Sequence, residues 1–134
     1  DFVISPRIKE EVIGLSKNSD FEGNLAKNVL GYVDNEIKVI EPSKSFDDGE
    51  LEIAYLAKEK DDIEFIMSDD IGARERIEKI SNKPMRFSTM IVYALCIKGI
   101  KTFDQGWRII ERMAVKRDWK DNLIFESAKL MWNQ

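Results

Sequence analysis

Two stretches decide the reading of this chain: Asp47-Asp48-Gly49-Glu50-Leu51-Glu52-Ile53-Ala54-Tyr55-Leu56-Ala57, and the nearby Ile63-Glu64-Phe65-Ile66-Met67-Ser68-Asp69-Asp70. Apolar residues at helical spacing predict a helix over residues 51–60. The run of branched and aromatic residues predicts a buried strand over residues 62–67, centred on 63–67. One acidic cluster therefore opens a helix, and the other stands just past the carboxyl end of a strand. In an open α/β sheet that end is where ligands bind. Holding a divalent metal is the leading use of carboxylates gathered there.

Working outward, Phe2-Val3-Ile4 reads as a short strand stopped by Ser5-Pro6. Ser5 is a good N-cap and Pro6 a good first helical residue, so a helix should run over residues 6–16. Ile8, Val12 and Leu15 share one face of it, with Ile13 beside them, and Glu10 and Glu11 lie near their amino-terminal end. After a loop at 16–20, a helix is predicted over residues 21–34, with Leu25, Val29 and Val33 at helical spacing. Gly23 and Gly31 weaken that helix. Residues 37–40 read as a second strand. The helix at 51–60 is apolar on two flanks, as expected of one packed between other elements. Residues 71–80 form a further helix bearing Arg74, Arg76 and Lys79, and residues 85–87 a short strand. The remainder is helical: 89–98 up to Gly99, then about 102–116 opened by a Thr102…Gln105 capping box, then about 118–132. Trp107, Trp119 and Trp132 read as packing aromatics. Strand–helix alternation up to residue 88 predicts an α/β fold with a short parallel sheet covered by helices. A single domain over 1–134 is expected, with 89–134 as its helical carboxy-terminal part.

Composition narrows the chemistry. The 134 residues contain no histidine and one cysteine, Cys96. Ser-His-Asp and Cys-His nucleophile systems, histidine zinc sites and histidine bases are therefore excluded. Cys96 falls in an apolar segment and reads as a buried structural thiol. No apolar run reaches the ~18 residues that a membrane span needs. Residues 1–6 carry neither a basic start nor a long apolar stretch, so no signal peptide and a cytoplasmic location are expected. Residues 41–70 hold eleven acids and three lysines out of a net charge of −4, so the remainder is close to neutral or basic. A generally basic nucleic-acid-binding surface is absent from this pattern.

A metal-dependent phosphodiesterase needs carboxylates converging from separate elements, holding Mg²⁺ or Mn²⁺ to lower the pKa of a bound water and neutralise phosphate charge. The candidates are Glu11, Glu50, and Asp69 or Asp70. Each also has a plain structural use. Asp47 and Glu50 fit an Asp-x-x-Glu box, so Glu50 can cap its own helix. Asp69 or Asp70 can cap the helix at 71–80. Glu10 and Glu11 can form a solvated helix face, with Glu11 paired to a lysine.

Gly49-Glu50-Leu51-Glu52-Ile53-Ala54-Tyr55-Leu56-Ala57, then Phe65-Ile66-Met67-Ser68-Asp69-Asp70, then Ala73-Arg74, resembles the PIN-domain nucleases. The likeness is to the branch with a Gly-Glu motif, an Asp-Asp motif and a downstream Ala-Arg. Residues 2–6 and 8–12 resemble that family's second strand and its Glu-bearing helix. Gly106-Trp107-Arg108, Met113 and residues 119–122 resemble its helical tail. The resemblance implies a three-layer α/β/α fold, an acidic pocket at the strand ends, and Mg²⁺- or Mn²⁺-dependent cleavage of single-stranded RNA. It also implies a toxin role, with an antitoxin protein or a second copy of the chain as partner. Carried over by residue, Glu11, Glu50 and Asp70 are catalytic, Asp69 joins them as metal ligand, and Ser68 and Arg74 bind substrate. Arg74, Arg76, Lys79 and Arg86 would form a basic rim for RNA. The family's first strand, which carries an aspartate, has no counterpart here, because Asp1 precedes Phe2-Val3-Ile4 rather than following a strand. The expectation is either a truncated or processed copy, or a sheet that lacks one strand and a site that lacks one ligand. A competing expectation follows, a catalytically inactive PIN-like module that binds a protein partner or itself through residues such as Phe21, Tyr32, Trp107 and Trp132. A phosphatase or small-molecule hydrolase ranks below both, since the chain has no Gly-rich phosphate loop and no Asp-x-Asp nucleophile pair.

Overall fold

In the computed structural model of the chain, residues 1–33 and 35–134 are described, and these form four short strands and seven helices. They group into two compact units, Asp1–Ile66 with Glu75–Pro84, and Met67–Arg74 with Met85–Gln134. No helix among the described residues is long and apolar enough to cross a membrane.

In the first unit, β1 (Phe2–Ile4) pairs in parallel with β2 (Ile37–Val39), with Phe2 opposite Ile37 and Ile4 opposite Val39. Parallel neighbours need a crossover connection, here made by α1 (Pro6–Ser16) and α2 (Phe21–Leu30). The Ser5 hydroxyl caps α1 by accepting from the N–H of Ile8, and Pro6 occupies the first turn, as the sequence predicts. Asp20 caps α2 by accepting from the N–H of Gly23. This helix is shorter than the predicted 21–34. It stops at Leu30 with Gly31 as C-cap, and Val33 makes a parallel β-bridge to Ile37 instead. The predicted end at Asp34 lies outside the described residues.

The central helix of this unit is α3 (Gly49–Glu59), whose Ala54, Leu56 and Ala57 are fully buried. Its cap corrects the expected Asp47–Glu50 box. Asp48 is the N-cap, and its Oδ1 accepts from the N–H groups of Glu50 at 2.9 Å and Leu51 at 3.2 Å. At the other end, the Glu59 carboxylate accepts from both the N–H and the hydroxyl of Ser43. Those bonds, Ser43 hydroxyl first and backbone second, hold the Glu59 carboxyl below its ordinary range.

The strand predicted over 62–67 shrinks to β3 (Ile66–Met67), because Ile63 is drawn into a turn by its N–H bond to the Lys60 carbonyl. β3 and β4 (Met85–Arg86) make the second two-stranded sheet. Its bonds run Ile66 N–H to Pro84 carbonyl and Ser68 N–H to Arg86 carbonyl, so both strands advance together and the pair is parallel. The architecture is therefore mixed α/β with parallel strand pairs, in two two-stranded sheets among the described residues. α4 (Arg74–Ser81) begins three residues later than the predicted 71–80. The cause is a tight turn in which Asp70 donates its N–H to the Ser68 hydroxyl and accepts from the N–H of Ala73.

The second unit is mainly α5 (Thr89–Ile97), α6 (Phe103–Lys116) and α7 (Leu123–Trp132). The Thr102–Gln105 capping box is present with both of its reciprocal bonds. The last helix starts at 123 rather than 118, since Asp118 takes a left-handed φ of 53° and Asn122 supplies the cap. Val92, Ile110 and Ala128 form a buried cluster, with Trp107, Met113, Phe125 and Trp132 packed against it. Trp119 and Cys96 are buried too, as expected.

Gly106 is where this packing is tightest. A Cβ there would collide with Cys96 Sγ and stand 3.0 Å from Trp132 Cζ2. Gly106→Ala should cost about 1–3 kcal/mol in urea denaturation, the usual cost of overpacking, and adding Cys96→Ala should restore part of the loss. Glu59 yields a second expectation. Its folded pKa lies below the unfolded value, so its tie to Ser43 is intact above the unfolded value. The tie weakens as the pH falls through the lowered folded value. The Ser43 amide resonance followed by NMR should titrate in that acidic window, and Glu59→Gln should abolish the step.

Candidate functional site

Within the first unit, the start of α3, which carries Glu50, lies against the Glu11 side chain. A Cβ at Gly49 would stand 2.9 Å from Glu11 Oε1, 3.3 Å from its Oε2 and 3.1 Å from Ile8 Cγ1. The Glu11 side chain of α1 therefore lies directly against the residue that precedes Glu50, and glycine makes room for it. Residues 11 and 49 are brought together although 38 apart in sequence. The helix amino terminus adds the positive end of the α3 dipole, which favours negative charge. The Glu50 carboxylate, with its side chain 31% exposed, stands 3.6 Å from Arg76 Nη2, which also reaches Asp48 Oδ2 at 3.3 Å. Glu11 Oε1 is 3.8 Å from Arg7 Nε, in place of the expected lysine partner. Arg7 Nη1 bonds Glu10 at 3.3 Å.

A residue that the sequence did not single out holds these pieces in place. Glu52 is buried, 3% exposed, one turn into α3. Its Oε1 accepts from the N–H of Arg7 at 3.0 Å, and its Oε2 from the N–H of Phe46 at 3.2 Å. A partly open cavity of about 280 Å³ adjoins it, lined by Arg7, Glu10, Phe46 and Asp47 among others. No local signal separates Glu52 from the exposed acids around it. Only the pairing of α3 with the first turn of α1 does so.

Asp69 and Asp70 belong to the second unit and differ from each other. The Asp69 side chain is 17% exposed. It accepts from the Ser88 N–H at 2.8 Å and the Ser88 hydroxyl at 2.7 Å, with Arg117 Nη1 at 3.7 Å. Neither aspartate caps α4 directly as predicted. Asp69 is committed to Ser88, and Asp70, which is exposed, caps the preceding turn. Ser68 is held by its bond from the Asp70 N–H at 3.1 Å. The Arg74 guanidinium lies over the Phe87 ring at 5.6 Å. Of the expected basic rim, Arg76 is engaged with Asp48 and Glu50 in the first unit, and Arg74 and Arg86 belong to the second.

Chemically, the candidates are all carboxylates, hard oxygen donors that suit Mg²⁺ or Mn²⁺. Among the described residues no group of three or more Asp, Glu or Cys side chains is placed to hold a metal ion. Mg²⁺ itself takes one or two protein carboxylates and keeps water in the rest of its shell.

The contact at Gly49 carries its own expectation. Gly49→Ala displaces only mobile parts of Glu11 and Ile8 and gains helix propensity, so it should change stability by less than about 1 kcal/mol. Gly49→Val, with branches pressed into α1, should cost about 1–3 kcal/mol. Chemical denaturation of the two variants checks the order. No protein-family model, curated protein or solved structure matches this chain.

Proposed function

We propose that this chain is a PIN-like, Mg²⁺- or Mn²⁺-dependent endoribonuclease domain of three-layer α/β/α type that hydrolyses phosphodiesters of single-stranded RNA. The resemblance supplies the class. The observation that carries it further is the Glu11 carboxylate lying against Gly49 at the start of α3, beside Glu50. A helix-borne glutamate meets the Gly-Glu motif where the resemblance assigns both to one task.

In this reading Glu11 and Glu50 hold the ion, which supplies an activated water and neutralises phosphate charge. The chain's own residues do the rest. Glu52 fixes the approach of α1 to α3, so the two carboxylates are oriented before any ligand arrives. Arg76 balances Glu50 in the meantime. The parts of Asp69, Asp70, Ser68 and Arg74 in catalysis rest on the resemblance alone, and a toxin role with an antitoxin partner rests there too.

The second reading, a non-catalytic interaction module, draws on an exposed stripe of α2 and the residues just after it. Phe21, Leu25, Val29 and Tyr32 recur at helical spacing, between 39% and 57% exposed. A binding role would need such a face.

The discriminating experiment is a Mn²⁺ and Mg²⁺ titration read by thermal melting and by cleavage of labelled single-stranded RNA. An ion at one hundred times its Kd stabilises the folded state by about 2.7 kcal/mol. Metal-dependent melting and cleavage are expected for the parent chain. Both should be lost, cleavage by at least about tenfold (1.4 kcal/mol of transition-state stabilisation), in Glu50→Gln and Glu11→Gln. Unchanged cleavage in both variants overturns the assignment, and a flat metal response without cleavage favours the module.

A further inference from the structure

The second unit contains a feature that the nuclease reading leaves unused. Thr89, the first residue of α5, is completely buried, and among the described residues its hydroxyl has no hydrogen-bond partner. A buried hydroxyl without a partner is costly, so the position calls for an explanation. Thr89 lines a half-open pocket of about 160 Å³. A cavity of about 150 Å³ accommodates a single benzene-sized ring. The walls suit a flat ring: Phe87 is aromatic, and Met85, Met90 and Met131 bring thioethers that pack well on π faces. Two cations, Arg74 and Arg86, line the same pocket. Arg74 is already held above the Phe87 ring at 5.6 Å, a geometry that orders its guanidinium.

The pocket thus combines a ring-sized apolar space, the hydroxyl residues Thr89 and Ser127 on its lining, and guanidinium groups among its walls. A fatty-acyl chain would have no use for the hydroxyl, and a free phosphate none for the apolar walls. A nucleotide uses all three. We propose that this pocket is a nucleotide subsite. It takes one nucleobase, whose polar edge bonds the Thr89 hydroxyl after a small shift of the side chains that cover it, with the attached phosphate on Arg74 and Arg86. Recognition of the nucleotide rests on the pocket alone. Its extension to one base of a single-stranded RNA rests on the ribonuclease reading above. Thr89 adjoins Ser88, the residue fastened to Asp69, so the amino terminus of α5 that carries the pocket is anchored at its first turn.

The test is a titration of protein with ¹³C-labelled methionine methyls, in EDTA so that no divalent metal contributes. The probes are adenosine and uridine 5′-monophosphates, the matching nucleosides, ribose 5-phosphate and a short single-stranded RNA. Saturable shifts of Met85, Met90 and Met131 methyls are expected with a monophosphate. Binding of nucleoside or ribose 5-phosphate should be at least about tenfold weaker, since each leaves one set of pocket groups unpaired. Thr89→Val should weaken nucleotide binding several-fold while its melting temperature stays level or rises, because the unpartnered hydroxyl is gone. Ser127→Leu, which fills the pocket from α7, should abolish binding and keeps the test decisive if Thr89→Val fails to fold. Three results each overturn the proposal: no saturable methyl shifts with any nucleotide, ribose 5-phosphate binding as well as the monophosphate, or full binding by Ser127→Leu. If monophosphates bind and the RNA does not, the extension to RNA falls while the nucleotide subsite stands. Metal-dependent cleavage is read separately, so its failure leaves the EDTA result intact.

Discussion

The carboxylate of Glu52 is the constraint on which the first unit depends. It is 3% exposed and accepts two backbone N–H groups, from Arg7 in the first turn of α1 and from Phe46 before α3. Burying an ionised carboxylate is costly unless its lone pairs are occupied. Here they are met by donors that would otherwise be unsatisfied, since the first N–H groups of a helix have no partner within it. The first turn of α1 contains no acidic residue of its own, so Glu52 also supplies the negative charge that a helix amino terminus favours. With Arg7 pinned to α3, Glu11 follows one turn later on the same face of α1. The meeting of Glu11 with Gly49 is thus a consequence of a bond made elsewhere.

Asp69 plays the corresponding part in the second unit. Ser88 precedes α5 with a φ of −59° and ψ of −24°, helical rather than extended, and its side chain makes no cap bond. The hydroxyl that would cap the helix instead donates to Asp69, and the Ser88 N–H does the same. An acid placed past a strand thereby fixes where α5 begins. This arrangement reduces Asp69's freedom to serve a metal, because both of its oxygens already accept. Asp70 is exposed, and its side chain accepts from the Ala73 N–H. Of the adjacent pair it is the one whose geometry leaves more acceptor capacity.

Much of this organisation was legible along the chain, wherever a local rule decides the outcome. Ser5-Pro6 and the Thr102…Gln105 pair depend on neighbours within one turn, and the structure agrees with both. What escaped was settled by contacts distant in sequence or by competition between equals. Asp47 and Asp48 are the same residue type, and only the backbone entry angle chooses Asp48 as the cap. Glu50 and Glu52 share a helix and a chemistry, yet one is partly open beside Arg76 and the other buried against the first turn of α1. The strand at 63–67 had the right composition. Its first half is claimed by the Lys60–Ile63 turn that closes the preceding helix, and β3 keeps only two residues.

Arg76 bears on how the candidate carboxylates would meet a ligand. It stands 3.3 Å from Asp48 and 3.6 Å from Glu50, with its own side chain half exposed. Ion pairs of that exposure contribute about 0–1 kcal/mol, so the pairing with Glu50 is easily exchanged. The tie to Asp48 differs in its consequences, because Asp48 is simultaneously the cap of α3. Were Glu50 engaged elsewhere, the guanidinium would be left beside an anion that cannot move without uncapping the helix. Arg76 would then stay at the mouth of α3 as a cation with one partner fewer. In that position a phosphate is its natural replacement partner, since guanidinium forks match phosphate oxygens. In the proposed reading, the ion pair that balances Glu50 is also what would present a positive charge to a phosphate.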